Sequence, residues 1–210
     1  MTFPVDLTTL LVFIPAALAL NLTPGADMLF SLGQGLRGGA RPAIAAACGV
    51  ALGGMVHTAI AGLGLGAVMA AHPGLFDVIR WVGVVYLLWL AFTALRSGVM
   101  KPGKPQRLSA ARAFRDGFFV NLTNPKFIFF VLAFIPQFVN PANGAVLAQF
   151  LIFGVVISIG GVFINSAVGI TAGGFGKTLA TSPRLARGLG YASASVFTLL
   201  AVRLALMQKA

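Results

Sequence analysis

Charged residues are scarce in this 210-residue sequence, and acidic residues are the scarcest. Only 9% of the residues are Asp, Glu, Lys or Arg, against about a quarter in soluble domains, and 58% are hydrophobic. Glutamate is absent, so the acidic residues are Asp6, Asp27, Asp77 and Asp116. This composition excludes an ordinary soluble domain and indicates a membrane protein with several spans.

Residues that form disulfides or bind metals are almost missing as well. The one cysteine, Cys48, cannot form an internal disulfide, and His57 and His72 add too few ligands for a metal site. We therefore expect no metal and no other cofactor. The first six residues contain no Lys or Arg, so we expect the first apolar run to remain in the mature protein rather than be cleaved as a signal peptide.

The apolar residues form six runs. A membrane-spanning helix needs roughly 20 predominantly apolar residues, and we apply this length to each run. The predicted spans are residues 7–32, 42–71, 75–95, 117–139, 145–176 and 188–207. The third and sixth are the weakest, because their strictly uncharged parts, 81–95 and 188–202, are short. The sequence thus predicts an all-α polytopic membrane protein, with residues 1–210 forming a single transmembrane domain.

The fifteen Lys and Arg residues are concentrated between the spans on one side of the membrane. The loops after spans one, three and five contain two, six and three of them, whereas few lie in the loops on the other side. This bias predicts that the three basic loops are cytoplasmic and that both termini are periplasmic. The same distribution of Lys and Arg argues against a nucleic-acid partner. The loop over residues 96–115 either only fixes the topology or also docks a partner or anionic lipid.

A short motif occurs twice, one hundred residues apart. Asn-Leu-Thr stands at 21–23 and at 121–123, and each copy precedes a proline and then the only charged residue deep in its span, Asp27 or Lys126. Because three spans precede the basic loop and three follow it, the span with the second copy of the motif would cross the membrane in the opposite direction to the span with the first. We therefore predict two inverted three-helix repeats, about residues 5–98 and 113–208, an arrangement typical of transporters. The Gly-x-x-x-Gly pairs at 49–53, 62–66 and 169–173 indicate close helix packing.

The two prolines predict where spans one and four are broken. A proline inside a span removes a backbone hydrogen bond, which lipid cannot replace. Thr23-Pro24 and Asn124-Pro125 each resemble a helix N-cap followed by proline at the first helical position. Two half-helices starting inside the membrane would offer free N–H groups to an anionic group such as a carboxylate. The alternative is a plain proline kink without a ligand.

Asp27 and Lys126 are expected near the membrane midplane. Ten residues separate Asp27 from Arg37 and eleven separate Lys126 from Arg115, or about 15 Å of helix. A charge at that depth costs roughly 2.5 to 3.5 kcal/mol, so we interpret the two residues as functional. A purely structural ion pair is the alternative.

Three further polar residues are weaker candidates. His57 could carry protons or simply bond to a neighbour. Gln137, near the outer end of span four, could line an exit. Asn165 in span five could face the same cavity.

These motifs resemble those of a known family. The stretch from Asn21 to Phe30 is similar to the Asn-x-x-Pro-Gly-Pro-Asp signature of the LysE/RhtB family of bacterial amino-acid exporters, with Ala26 where the family often has a second proline. Asn124-Pro125-Lys126 and the Phe-rich run after it resemble the family's second motif. Gly83 and the Tyr-Leu-Leu-Trp-Leu run at 86–90 are similar to a third feature, and the resemblance covers essentially the whole chain.

The resemblance implies a carrier of the bacterial inner membrane that exports amino acids or close derivatives, coupled to protons. A zwitterion needs one positive and one negative partner, so we expect Lys126 to receive its carboxylate and Asp27 its ammonium group or the driving proton. An intramembrane enzyme and a passive channel are the alternatives, and a homo-oligomer is compatible with the sequence. The expected substrate-binding residues are Asn21, Thr23, Pro24, Gly25, Asp27, Asn121, Asn124, Pro125 and Lys126.

Overall fold

The computed structural model describes residues 4–71, 75–96, 109–172 and 182–206, and within these ranges every regular element is helical. Two 3-10 turns, Ile135–Phe138 and Pro141–Asn143, connect the sixth helix to the seventh. The α-helices in chain order are α1 (Leu7–Leu22), α2 (Ala26–Gly38), α3 (Ala40–Ala71), α4 (Leu75–Arg96), α5 (Ala110–Leu122), α6 (Pro125–Ala133), α7 (Val146–Ile170) and α8 (Pro183–Leu206). The predicted all-α class is confirmed.

Several of these helices could cross a membrane. By length and composition, three single helices could each cross a membrane: α3 (over Ala40–Gly64), α7 and α8. The bent pairs α1–α2 and α5–α6 raise the number of candidate spans to five if each pair forms one span. In α4 the apolar part, Trp81–Arg96, is shorter than a span. The count of six spans and their inverted arrangement therefore stay predictions.

The helix that contains the start of the fourth predicted span begins before that span. The span is predicted to begin at residue 117, but α5 begins at Ala110, where the Ser109 hydroxyl accepts a hydrogen bond from the Arg112 N–H at 3.3 Å. The first turns of α5 are amphipathic, with Ala113 and Gly117 buried and arginines outside, so an apolar-run criterion misses them. Much of the predicted basic loop, residues 97–108, lies outside the described residues.

Small residues let the helices approach each other closely. A Cβ atom at Gly49 on α3 would overlap with the carbonyl oxygen of Phe114 on α5, and one at Gly117 would come within 2.5 Å of the Ala46 carbonyl oxygen. The predicted close packing at Gly49 and Gly53 is thereby confirmed, since Gly53 faces α5 as well. Gly173, the end of the third glycine pair, lies outside the described residues.

The helix breaks divide the bundle into two unequal ends. On the side of the α1 N-terminus lies an aromatic core, whose fully buried rings are Phe13, Phe130, Phe134, Phe150, Phe153 and Phe197. On the other side α2 packs on α7 through a smaller group, Met28, Leu32, Val168 and Ala172, which we call the α2–α7 cluster. The first end is therefore richer in buried aromatic rings than the second.

Candidate functional site

Both Asn-Leu-Thr motifs end a helix in the same way. Helix α1 ends at Leu22 and α5 at Leu122, and the chain turns by 54° and 55° before the next helical segment. The hydroxyl of Thr23 donates to the Ala19 carbonyl at 2.6 Å, and that of Thr123 donates to the Phe119 carbonyl at 3.0 Å. The predicted breaks at the two proline motifs are confirmed.

The helices restart differently after the two breaks. At the second break the prediction is confirmed: Asn124 caps α6 by accepting the Lys126 N–H at 3.1 Å, and Pro125 is the first helical residue. At the first break it is wrong, because Thr23 is the C-cap of α1 and α2 begins only at Ala26. The Thr23 hydroxyl bonds back to Ala19 of α1, and Gly25 occupies the N-cap position of α2, where it has no side chain to cap the helix.

Lys126 binds the open end of the first break. Its Nζ atom donates to the carbonyl oxygens of Leu20 and Thr23, each at 2.8 Å. The last carbonyls of a helix lack helical partners and carry negative partial charge, so they suit an ammonium group. Gly25 leaves room for this side chain, because a Cβ there would lie 3.2 Å from Nζ. The hydroxyl of Tyr86 donates to the Lys126 carbonyl at 2.7 Å and helps to hold that turn.

Asp27 is bound in turn by residues of the second break. Its Oδ2 atom accepts from Asn121 Nδ2 at 3.0 Å and from Asn124 Nδ2 at 2.9 Å. Its other oxygen, Oδ1, is buried and has no hydrogen-bond partner, and the same holds for Asn121 Oδ1. The site thus contains two buried acceptor oxygens that the described protein atoms leave unsatisfied.

The two charged side chains are connected through the helix breaks. Lys126 of α6 bonds to the end of α1, while Asp27 of α2 bonds to the end of α5 and the start of α6. The ammonium group of Lys126 therefore donates to backbone carbonyls and not to the carboxylate of Asp27. Opposite charges in this crossed arrangement fix each broken helix against the other.

Two small cavities adjoin this crossing. Asn21, Asp27, Phe127 and Asn165 line both of them, and each has room for about one water molecule. Thr23 and Lys126 also line one of the two. The cavities are far smaller than an amino acid, so the site is closed in this conformation.

The other predicted residues lie at different distances from this centre. Asn21 donates to the Ile157 carbonyl of α7 at 3.0 Å, and His57 Nε2 lies 3.4 Å from the Asn121 carbonyl oxygen. Both are therefore close to the Asp27 side chain. Gln137 lies apart, donating to the Ala133 carbonyl at 3.2 Å and lining a separate cavity with Arg203.

Two polar residues of α2 were not predicted. Ser31 is 0% and Gln34 1% exposed, yet the hydroxyl oxygen of Ser31 and both amide atoms of Gln34 have no partner. The sequence contained a signal for them, because they follow Asp27 by four and seven residues and so share its face of the helix.

A helical membrane protein with two interrupted helices, and with opposite charges crossed between the breaks, has the features of a membrane transport protein. The chain belongs to the LysE type translocator family, whose model matches residues 18–208.

Curated relatives extend over most of the chain. It is 31% identical to the homoserine/homoserine lactone efflux protein of Salmonella typhimurium over 188 residues, 89% of this chain and 90% of the relative. It is 30% identical to the leucine efflux protein of Enterobacter sp. over 150 residues, 70% and 71% of the two chains. It is 33% identical to an uncharacterized membrane protein of Vibrio cholerae over 152 residues, 71% and 74% of the two chains. No solved structure gives a significant match.

Proposed function

We propose that this protein exports amino acids or close derivatives across the bacterial inner membrane and binds them between its two helix breaks. The names of the homoserine and leucine efflux relatives support this class of substrate. The observation that carries the proposal is Asp27 Oδ1, a buried acceptor without a partner on a residue that lines both cavities. An ammonium group carries three donors and no acceptor, so it complements this oxygen.

The carboxylate of the substrate needs a cation, and Lys126 is the one that lines the cavity next to Asp27. Its present partners are the backbone carbonyls of Leu20 and Thr23, which it would exchange for the carboxylate. Helix α2 begins nearby at Ala26 and its N-cap, Gly25, has no side chain, so its first N–H groups can add hydrogen bonds to the same anion. Asn21, Thr23, Pro24, Asn124, Pro125 and Asn165 then shape and support the site.

Proton coupling follows from competition at one oxygen. If Asp27 Oδ1 binds either a proton or the substrate's ammonium group, one ligand must leave before the other arrives, which is the requirement for antiport. His57, next to Asn121, is the second candidate for the proton path.

We propose six spans in two inverted repeats, in one transport domain. The two breaks bend by nearly equal angles, and α4 packs on α8 and α3 on α7, as equivalent spans of two repeats would. The basic loops then face the cytoplasm and both termini the periplasm. A periplasmic reporter enzyme fused after Ala210 should be active, and activity of a cytoplasmic reporter there instead would contradict this topology.

Uptake into liposomes tests the transport proposal directly. Purified protein should accumulate a labelled substrate from a panel including homoserine and leucine when a pH gradient is imposed. A passive channel would only equilibrate the label, and an enzyme would not move it.

Variants test the site itself. Asp27→Asn and Lys126→Gln should each abolish accumulation, whereas Asp116→Asn, a matched change on the exposed face of α5, should transport like wild type. Normal accumulation by both site variants would contradict the assignment.

A further inference from the structure

Helix α2 carries a continuous polar face that begins at Asp27 and extends beyond the site described above. Asp27, Ser31, Gln34 and Arg37 follow one another at helical spacing, so they lie on one side of α2. Each has at least one buried polar atom without a hydrogen-bond partner: Asp27 Oδ1, Ser31 Oγ, both amide atoms of Gln34, and Arg37 Nε. The face extends about 15 Å from the breaks to the end of the helix.

Unsatisfied buried polar atoms are costly, and folded proteins contain few of them. Gln149 shows the usual situation in this same protein. It is 1% exposed, as Gln34 is, but its amide makes three hydrogen bonds, two to Asn140 and one to the Gly144 carbonyl. Several unsatisfied groups in a row on one helix indicate that another conformation supplies their partners.

The packing around this face is suited to opening. A Cβ atom at Gly35 would overlap with the Gly169 carbonyl of α7, so α2 and α7 meet through a direct backbone contact and the α2–α7 cluster, while α2 also packs along α3. At the opposite end, Phe13 packs within 4.6 Å of Phe153 and 6.0 Å of Phe134, measured between ring centroids, as part of the aromatic core. The contact between α2 and α7 is therefore the easier one to separate.

We infer that this polar face lines a closed half of the substrate path, and that Ser31 and Gln34 bind the amino acid between Asp27 and the Arg37 end of α2. The inference rests on the proposed function. The amide of Gln34 can donate to a carboxylate and accept from an ammonium group, as a zwitterion requires. Arg37 lies back over Gly33, where a Cβ would be 3.2 Å from its Nη2 atom, and its charge favours an entering carboxylate.

Cysteine labelling tests whether the face becomes accessible to water. In a Cys48→Ser background, Gln34→Cys is treated with a membrane-impermeant thiol reagent from each side of sealed vesicles. Arg41→Cys, which replaces an exposed residue just after α2, marks the side on which the path should open. Leu87→Cys, which replaces a residue 0% exposed in the same buried cluster as Phe13, is the buried control.

We expect Gln34→Cys to react from the same side as Arg41→Cys, and at least about tenfold faster than Leu87→Cys. Added substrate should change the rate at position 34 and leave that at position 87 unchanged. Labelling of Gln34→Cys no faster than Leu87→Cys would overturn the inference.

Export by Gln34→Leu gives a second readout that is independent of labelling. It should fall at least about tenfold at normal abundance, and Gln34→Asn, which keeps an amide, should recover part of it. If wild type exports while Gln34→Leu exports equally well, the path is wrong and the proposed function stands. If wild type moves no substrate of the panel, the proposed function fails, and labelling at position 34 still shows whether this face opens.

Discussion

Replacing Gln34 by leucine should raise the stability of the protein. Leucine has a similar volume, and the Gln34 side chain makes no hydrogen bond in the closed conformation. An unsatisfied buried polar group costs about 1 to 3 kcal/mol, so removing the amide should raise the free energy of unfolding by an amount in that range. In a chain of this length each kcal/mol corresponds to about 2 to 4 °C in the melting temperature.

The same substitution at Gln149 should have the opposite effect. Its amide bonds to the Asn140 N–H at 2.9 Å and to the carbonyls of Asn140 and Gly144 at 2.9 and 2.7 Å. Leucine would remove these three bonds and leave backbone groups unpaired, a loss of about 2 to 4 kcal/mol. The two residues are equally buried, so the pair of variants separates the effect of hydrogen bonding from that of burial.

Heating the purified variants in detergent while recording the fluorescence of Trp81 and Trp89 measures both changes. We expect Gln34→Leu to melt above wild type and Gln149→Leu below it. A Gln34→Leu variant that melts below wild type, as Gln149→Leu should, would show that the Gln34 amide is satisfied in the native state. The reasoning that assigns its partners to another conformation would then be refuted.

Further predictions concern the breaks and the packing. Asn124→Ala removes a helix cap and a donor to Asp27, so it should cost about 1 kcal/mol or more in thermal unfolding and abolish export. Asp27→Asn and Lys126→Gln should each reduce the amount of protein in membranes, whereas the double variant should recover abundance but not export. If the two losses of abundance instead add up on immunoblots of the double variant, the two charges are not coupled. Gly35→Ala should lower the melting temperature, because its Cβ would overlap with α7, and an unchanged value would contradict the close contact.

The positions of the breaks could be predicted because each proline follows polar residues that can end or cap a helix. Pro24 and Pro125 each lack an N–H group and follow an Asn-Leu-Thr motif, whereas Pro15, which has apolar neighbours, lies inside α1 without ending it. The identical Asn-Leu-Thr tripeptides also predicted similar local structure, and both end a helix. The restart could be predicted only at the second break. There Asn124 stands between threonine and proline, whereas at the first break proline follows Thr23 directly and the cap moves on to Gly25.

The partners of the charged residues could not be predicted in the same way. Lys126 bonds to carbonyls that precede it by more than one hundred residues, and Asp27 to amides more than ninety residues later. Such contacts depend on how the helices pack, and the sequence indicated only that both charges lie at similar depth. The face of α2 that holds Ser31 and Gln34 could have been predicted from the sequence. Its polar spacing is helical, but neither residue carries a charge that would draw attention to it.

Under the proposed function, the crossed bonds explain how substrate binding could open one end of the protein. Lys126 fixes α6 to the end of α1 through the Leu20 and Thr23 carbonyls, and these bonds must weaken when the ammonium group turns to a substrate carboxylate. The aromatic core still holds α1 to α6 and α7, so the loosened segment is the start of α2. Because α2 is held to α7 mainly by a glycine contact and a small cluster, release at the break favours movement of α2 and exposure of its polar face.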